Sequence, residues 1–101
     1  MSAAPLAPAG GAFRFLLMTD IAVHCRFFAR YAEVLAREGL DLRVPAGTTV
    51  AQAIKRLRET LPGAHQLPEH PMTAVNRAHV HGRHVLGDGD ELALLPPLAG
   101  G

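Results

Sequence analysis

The sequence predicts an α+β domain in which one mixed sheet packs on a single principal helix, and three observations predict it. In residues 21–28, Ile21, Val23, Cys25 and Phe27 alternate with the remaining side chains as in a half-buried strand, and the largely apolar run at 91–95 after a Gly-Asp-Gly-Asp turn reads as a final strand. Between them, the stretch that begins at Thr49 repeats its apolar residues with helical spacing. The chain then finishes on two prolines and, after Leu98-Ala99, two glycines, a composition that ends a sheet and leaves an extended arm.

Size and charge bound what such a domain can do. A chain of 101 residues that is 49% hydrophobic and 19% charged reads as one domain. A chain of that length buries roughly two thirds of its unfolded surface. A formal net charge of +1 gives no electrostatic basis for binding nucleic acid or a membrane surface. A single cysteine makes no internal disulfide, so a reducing, cytoplasmic setting is expected. No apolar run approaches the roughly 20 residues that span a bilayer.

Taken in order, residues 1–18 are expected to form a disordered leader or an extra N-terminal segment, because the first eleven are rich in Ala, Pro and Gly without periodicity. Met1 and Met18 are both candidate starts. In the first strand Ile21, Val23, Cys25 and Phe27 should face the core, making Cys25 a small buried apolar residue. From Phe28 the period changes: Phe28, Tyr31, Ala32 and Leu35 share a helical face, and Gly39 is expected to cap that helix. Residues 40–44 alternate as a second strand, and Pro45-Ala46-Gly47 turns the chain.

Thr49 and Gln52 form a capping box, followed by Val50, Ile54, Leu57 and Leu61 on one face and Lys55, Arg56, Arg58 and Glu59 on the other. The basic side reads as solvated surface, with docking on an acidic partner as the lesser alternative. Pro62-Gly63 ends the helix, and residues 64–71 have loop composition. Residues 73–76 and 79–81 are expected as short strands joined by a turn at Arg77-Ala78, and Gly87-Asp88-Gly89-Asp90 turns the chain into the last strand.

No catalytic constellation emerges from this pass. Asp88 and Asp90 are read as turn residues that bond nearby backbone. His79, His81 and His84 lie close in sequence, yet no cysteine or carboxylate accompanies them at ligand spacing, so no metal is expected. The element order itself is that of a β-grasp (ubiquitin-like) fold, with the first and last strands as parallel central neighbours across residues 19–95 and an extended tail over 96–101.

Four segments carry a resemblance: Arg26-Phe27-Phe28-Ala29-Arg30, Ala74-Val75-Asn76-Arg77, Asp88-Gly89-Asp90-Glu91-Leu92, and Leu94-Leu95-Pro96-Pro97-Leu98-Ala99-Gly100-Gly101. Together they resemble the MoaD group of the MoaD/ThiS sulfur-carrier family, from about residue 21 to the end. MoaD is the small subunit of molybdopterin synthase.

The resemblance implies that a ubiquitin-activating-type enzyme uses ATP to adenylate Gly101, and that sulfur transfer makes a C-terminal thiocarboxylate. It implies delivery into the large subunit of molybdopterin synthase within a heterotetramer, where the sulfur builds a dithiolene. Catalytic side chains then belong to the partner, and no cofactor is bound by this chain.

On this reading Gly100 keeps the tail slim, and Pro96 and Pro97 hold it off the sheet. Phe28, Tyr31, Leu94, Leu95 and Leu98 form a candidate partner surface, with core burial as the alternative for the leucines. Two features depart from the family pattern: leucines stand where many relatives carry aromatic residues before Pro-Pro, and a long leader precedes the domain. Thiamine or cysteine biosynthesis, and conjugation to other proteins through Gly101, remain as alternative uses of the same tail.

Overall fold

The computed structural model describes residues 19–97, and the element order follows the expected plan. Strand β1 (Asp20–Phe27) leads into helix α1 (Ala29–Leu35), strand β2 (Gly39–Pro45) and the main helix α2 (Val50–Thr60). A short 3-10 turn (Ala64–Gln66) precedes β3 (Met72–Val75), β4 (Ala78–Val80) and β5 (Glu91–Leu95). The sheet order is β2-β1-β5-β3-β4. As expected, β1 and β5 are central and parallel, with Cys25 opposite Leu92 and Phe27 opposite Leu94; every other pairing is antiparallel.

This register sends one parity of side chains inward. Val23, Cys25 and Phe27 from β1, Val44 from β2, Leu92 and Leu94 from β5 and Val75 from β3 join one buried cluster. The helices supply the other side of it through Tyr31 and Leu35 of α1 and Val50, Ala53, Ile54 and Leu57 of α2. Both helices therefore cover the same face of the sheet.

The capping box at the start of α2 is fully formed. Thr49 Oγ1 accepts the Gln52 N–H at 3.2 Å and Gln52 Oε1 accepts the Thr49 N–H at 2.9 Å. Two further free donors of the first turn are met by backbone from a later segment: Val50 N–H reaches the His84 carbonyl and Ala51 N–H the Gly82 carbonyl. Arg58, expected on the solvated side, is half-buried and donates from Nε to the Leu67 carbonyl at 3.0 Å, tying α2 to the following loop. That loop, expected to be irregular, contains the 3-10 turn, whose Ala64 and the adjacent Leu67 are buried anchors.

Two boundaries differ from expectation for identifiable reasons. Ala36, not Gly39, takes the left-handed position that ends α1, with φ 57° and its N–H shared by the Ala32 and Glu33 carbonyls. Gly39 opens β2 instead, where a β-carbon would come within 2.5 Å of the Cys25 carbonyl oxygen. The β3–β4 turn falls one residue earlier than expected, at Asn76 and Arg77, whose φ values of 51° and 73° suit the mirror-image two-residue turn of a tight hairpin.

The outer face of the sheet is polar at its β1–β2 side. His24 Nδ1 lies 2.6 Å from Asp41 Oδ1, its direct cross-strand neighbour. That hydrogen bond, and then the Asp41 charge, raise the His24 pKa above 6.5. By linkage, the pair's stabilisation is complete below pH 6.5 and is lost as the pH rises through the folded-state value.

Two outcomes follow. Gly39→Ala should cost about 1–3 kcal/mol in urea denaturation through steric conflict with β1, whereas Ala36→Gly should be neutral or gain up to about 1 kcal/mol by relieving a left-handed alanine. Asp41→Asn should return the His24 titration midpoint, read from its imidazole proton shifts, toward 6.5.

Candidate functional site at the outlet of the central strand

The last strand is held on both sides up to its end. Leu94 lies opposite Phe27 of β1 and Thr73 of β3, and Leu95 lies opposite Met72. Pro96 and Pro97 follow, and neither has an N–H to continue a ladder. The chain thus leaves the sheet from its centre, next to the start of α1.

An open groove of about 1040 Å³ lies at this outlet. Phe28, Tyr31, Met72, Leu95, Pro96 and Pro97 give it an apolar lining, while Arg30, Gln66 and His79 add polar groups. Met72 is 50% exposed, an unusual position for a large apolar side chain. The Arg26 guanidinium sits 5.1 Å from the centre of the Phe28 ring and 3.5 Å from Glu91, so one cation links the groove wall to the first residue of β5.

Local backbone makes this wall possible. Phe28 is extended and Ala29 has φ 48°, so the chain turns from β1 into α1 without a loop. A left-handed alanine costs about 1–2 kcal/mol, which the surrounding packing must offset.

The expected site residues divide clearly. Pro96 is half-buried and Pro97 exposed at the outlet, and Phe28 and Leu95 are half-buried in the groove. Leu94 corrects the expected partner surface: it is fully buried at 0% exposure, because its register points it into the core. Tyr31 is likewise a core residue, 6% exposed, and presents only an edge to the groove. Leu98, Gly100 and Gly101 lie outside the described residues, as does the leader. Met72, Arg30 and His79 were not expected at this site; cross-strand register places Met72 beside Leu95 and could be inferred only once the sheet order was known.

The other candidate groups have structural partners. Asp90 accepts the Gly87 N–H at 2.7 Å within its own turn, whereas Asp88 reaches across to the Ala22 N–H of β1 at 2.8 Å. Asn76 donates to Asp90 and accepts the Glu91 N–H, so the Ala-Val-Asn-Arg and Asp-Gly-Asp-Glu segments meet in space. Cys25 is buried in the core, and burial pushes its thiol up to about 12. Among the described residues no group of three or more His, Cys, Asp or Glu side chains is placed to hold a metal ion.

The ThiS family model matches residues 25–101. The chain belongs to the ThiS family. An Arabidopsis thaliana protein, the molybdopterin synthase sulfur carrier subunit, is 25% identical over 83 residues, covering 82% of this chain and 86% of that one. Two crystal structures of small archaeal modifier protein 1 from Haloferax volcanii superpose with TM-scores of 0.70 and 0.68 at 27% and 26% identity. They cover 79% and 77% of this chain and 99% of each of those chains. The ThiS-family assignment and these superpositions agree with the β-grasp reading of the sheet.

Because Cys25 is buried with a raised pKa, iodoacetamide should leave the native chain unmodified and label it only after denaturation, as read by intact mass.

Proposed function

We propose that this chain is the sulfur-carrier small subunit of a molybdopterin synthase. One observation carries the reading: a core-anchored central strand ends at a double proline beside an apolar groove, and the sequence then runs through Leu98-Ala99-Gly100 to Gly101. The family match to the last residue and the relative named as a molybdopterin synthase sulfur carrier subunit support it.

On this reading Gly101 is the reacting group. An adenylating enzyme joins its carboxylate to the α-phosphate of ATP and releases pyrophosphate. Adenylation thus exchanges a poor leaving group for a good one, and a hydrosulfide-level sulfur nucleophile then attacks the acyl carbon and displaces AMP, forming the C–S bond as the C–O bond to AMP breaks. The resulting thiocarboxylate enters the large subunit and gives its sulfur to a pterin precursor. Gly100 lets the tail pass a narrow channel, and the prolines keep it from pairing with the sheet. The chain supplies a carrier and a docking surface in the cytoplasm, and the catalytic side chains are the partners'.

A second reading has its own support. Two of the superposed structures are of a protein named as a modifier, which fits conjugation of Gly101 to lysines of other proteins. The same carrier chemistry could also serve thiamine or cysteine synthesis.

Co-expression with the adenylating enzyme should yield a chain whose intact mass reports one oxygen exchanged for sulfur. Deleting Gly101 should abolish both that exchange and dithiolene formation, with the fold unchanged by circular dichroism. Lysine-linked adducts in the absence of any thiocarboxylate would overturn the carrier reading in favour of the modifier.

A further inference from the structure

Resting on the reading that a partner subunit receives the tail, we propose that the outlet groove selects that partner by charge as well as by apolar fit. Arg30 at the groove pairs with a carboxylate carried by an apolar segment of the receiving subunit.

The groove is electrostatically one-sided. Its described lining includes no aspartate or glutamate. Arg30 is exposed and forms no ion pair with any described residue. Glu33, one turn along α1, is beyond ion-pair distance, and Glu91 is engaged by Arg26. Arg30 is therefore a permanent cation beside apolar walls with no ion-pair partner among the described residues, and the Gln66 amide and the His79 imidazole are further polar groups in the same groove.

This arrangement discriminates among occupants. An uncharged apolar segment would satisfy Phe28, Met72 and Leu95 yet strip water from Arg30 with nothing in return, which is unfavourable. A purely anionic ligand would satisfy Arg30 but leave the apolar walls unmatched. An apolar segment bearing a carboxylate matches both, and Arg can hold that carboxylate through two parallel N–H bonds.

The test uses the full chain and the purified large subunit of molybdopterin synthase. Arg30→Glu should weaken binding by about tenfold or more and flatten its dependence on salt, while Arg30→Lys, which keeps the charge but loses the two-bond fork, weakens it less. Amide NMR spectra of both variants check that this exposed position leaves the fold intact. Sulfur transfer by the Gly101 deletion is measured alongside. If Arg30→Glu binds within about threefold of native while Gly101 remains essential for transfer, the charge proposal is overturned and the carrier reading stands. If the native chain does not bind the large subunit, or transfer survives loss of Gly101, both fail.

Discussion

The parallel pairing of β1 with β5 is the constraint on which the rest depends. It joins segments more than sixty residues apart in sequence, so its loop-closure cost is met only when the whole core assembles. The turn before β5 makes the junction. Asp88 and Gly89 bond the two polar groups of Ala22, the Asp90 carbonyl accepts the His24 N–H, and Asn76 holds Glu91 from the opposite side. Before β5 has run one residue, its register is fixed against both neighbours. Leu92 and Leu94 then enter the core at 0% exposure, one on each side of Ala93.

That junction brings together short motifs that lie far apart in the sequence. Asp-Gly-Asp-Glu could be mistaken for a cation site, since two carboxylates flank a glycine. In the fold both carboxylates accept N–H bonds, Asp88 from Ala22, Asp90 from Gly87 and from the Asn76 amide, so their charge is spent on backbone geometry. Gly89, with φ 84°, is the one residue of the turn whose backbone asks for glycine.

Much of this was legible because local and global signals agreed. The capping box at Thr49, the alternation from Ile21 to Phe27 and the helical face of Val50, Ile54 and Leu57 each follow from chemistry within a few residues. What was not legible is non-local. Gly39 looked like a cap because it follows a helix, but its need for glycine comes from the Cys25 carbonyl across the strand pair. Arg58 looked solvated because its neighbours are, and its partner is a carbonyl nine residues on. The double proline after the last strand was readable, whereas the groove beside it draws Phe28, Met72 and Leu95 from three separate segments that only the register brings together.

On the carrier reading, the arrangement also separates stability from chemistry. Burial of Leu92 and Leu94 and the ladder bonds to both neighbours are complete before Pro96. Placing the outlet at the centre of the sheet, beside the left-handed Ala29 and the start of α1, has a second consequence: the surface around Pro96 and Pro97 is built from elements held in the central ladder and the core. A partner that recognises that surface thereby fixes the direction in which the chain end leaves. Had the last strand been an edge strand, Pro96 would instead follow a border paired on one side alone, where ladders fray first, and recognition of the domain would constrain the outlet less.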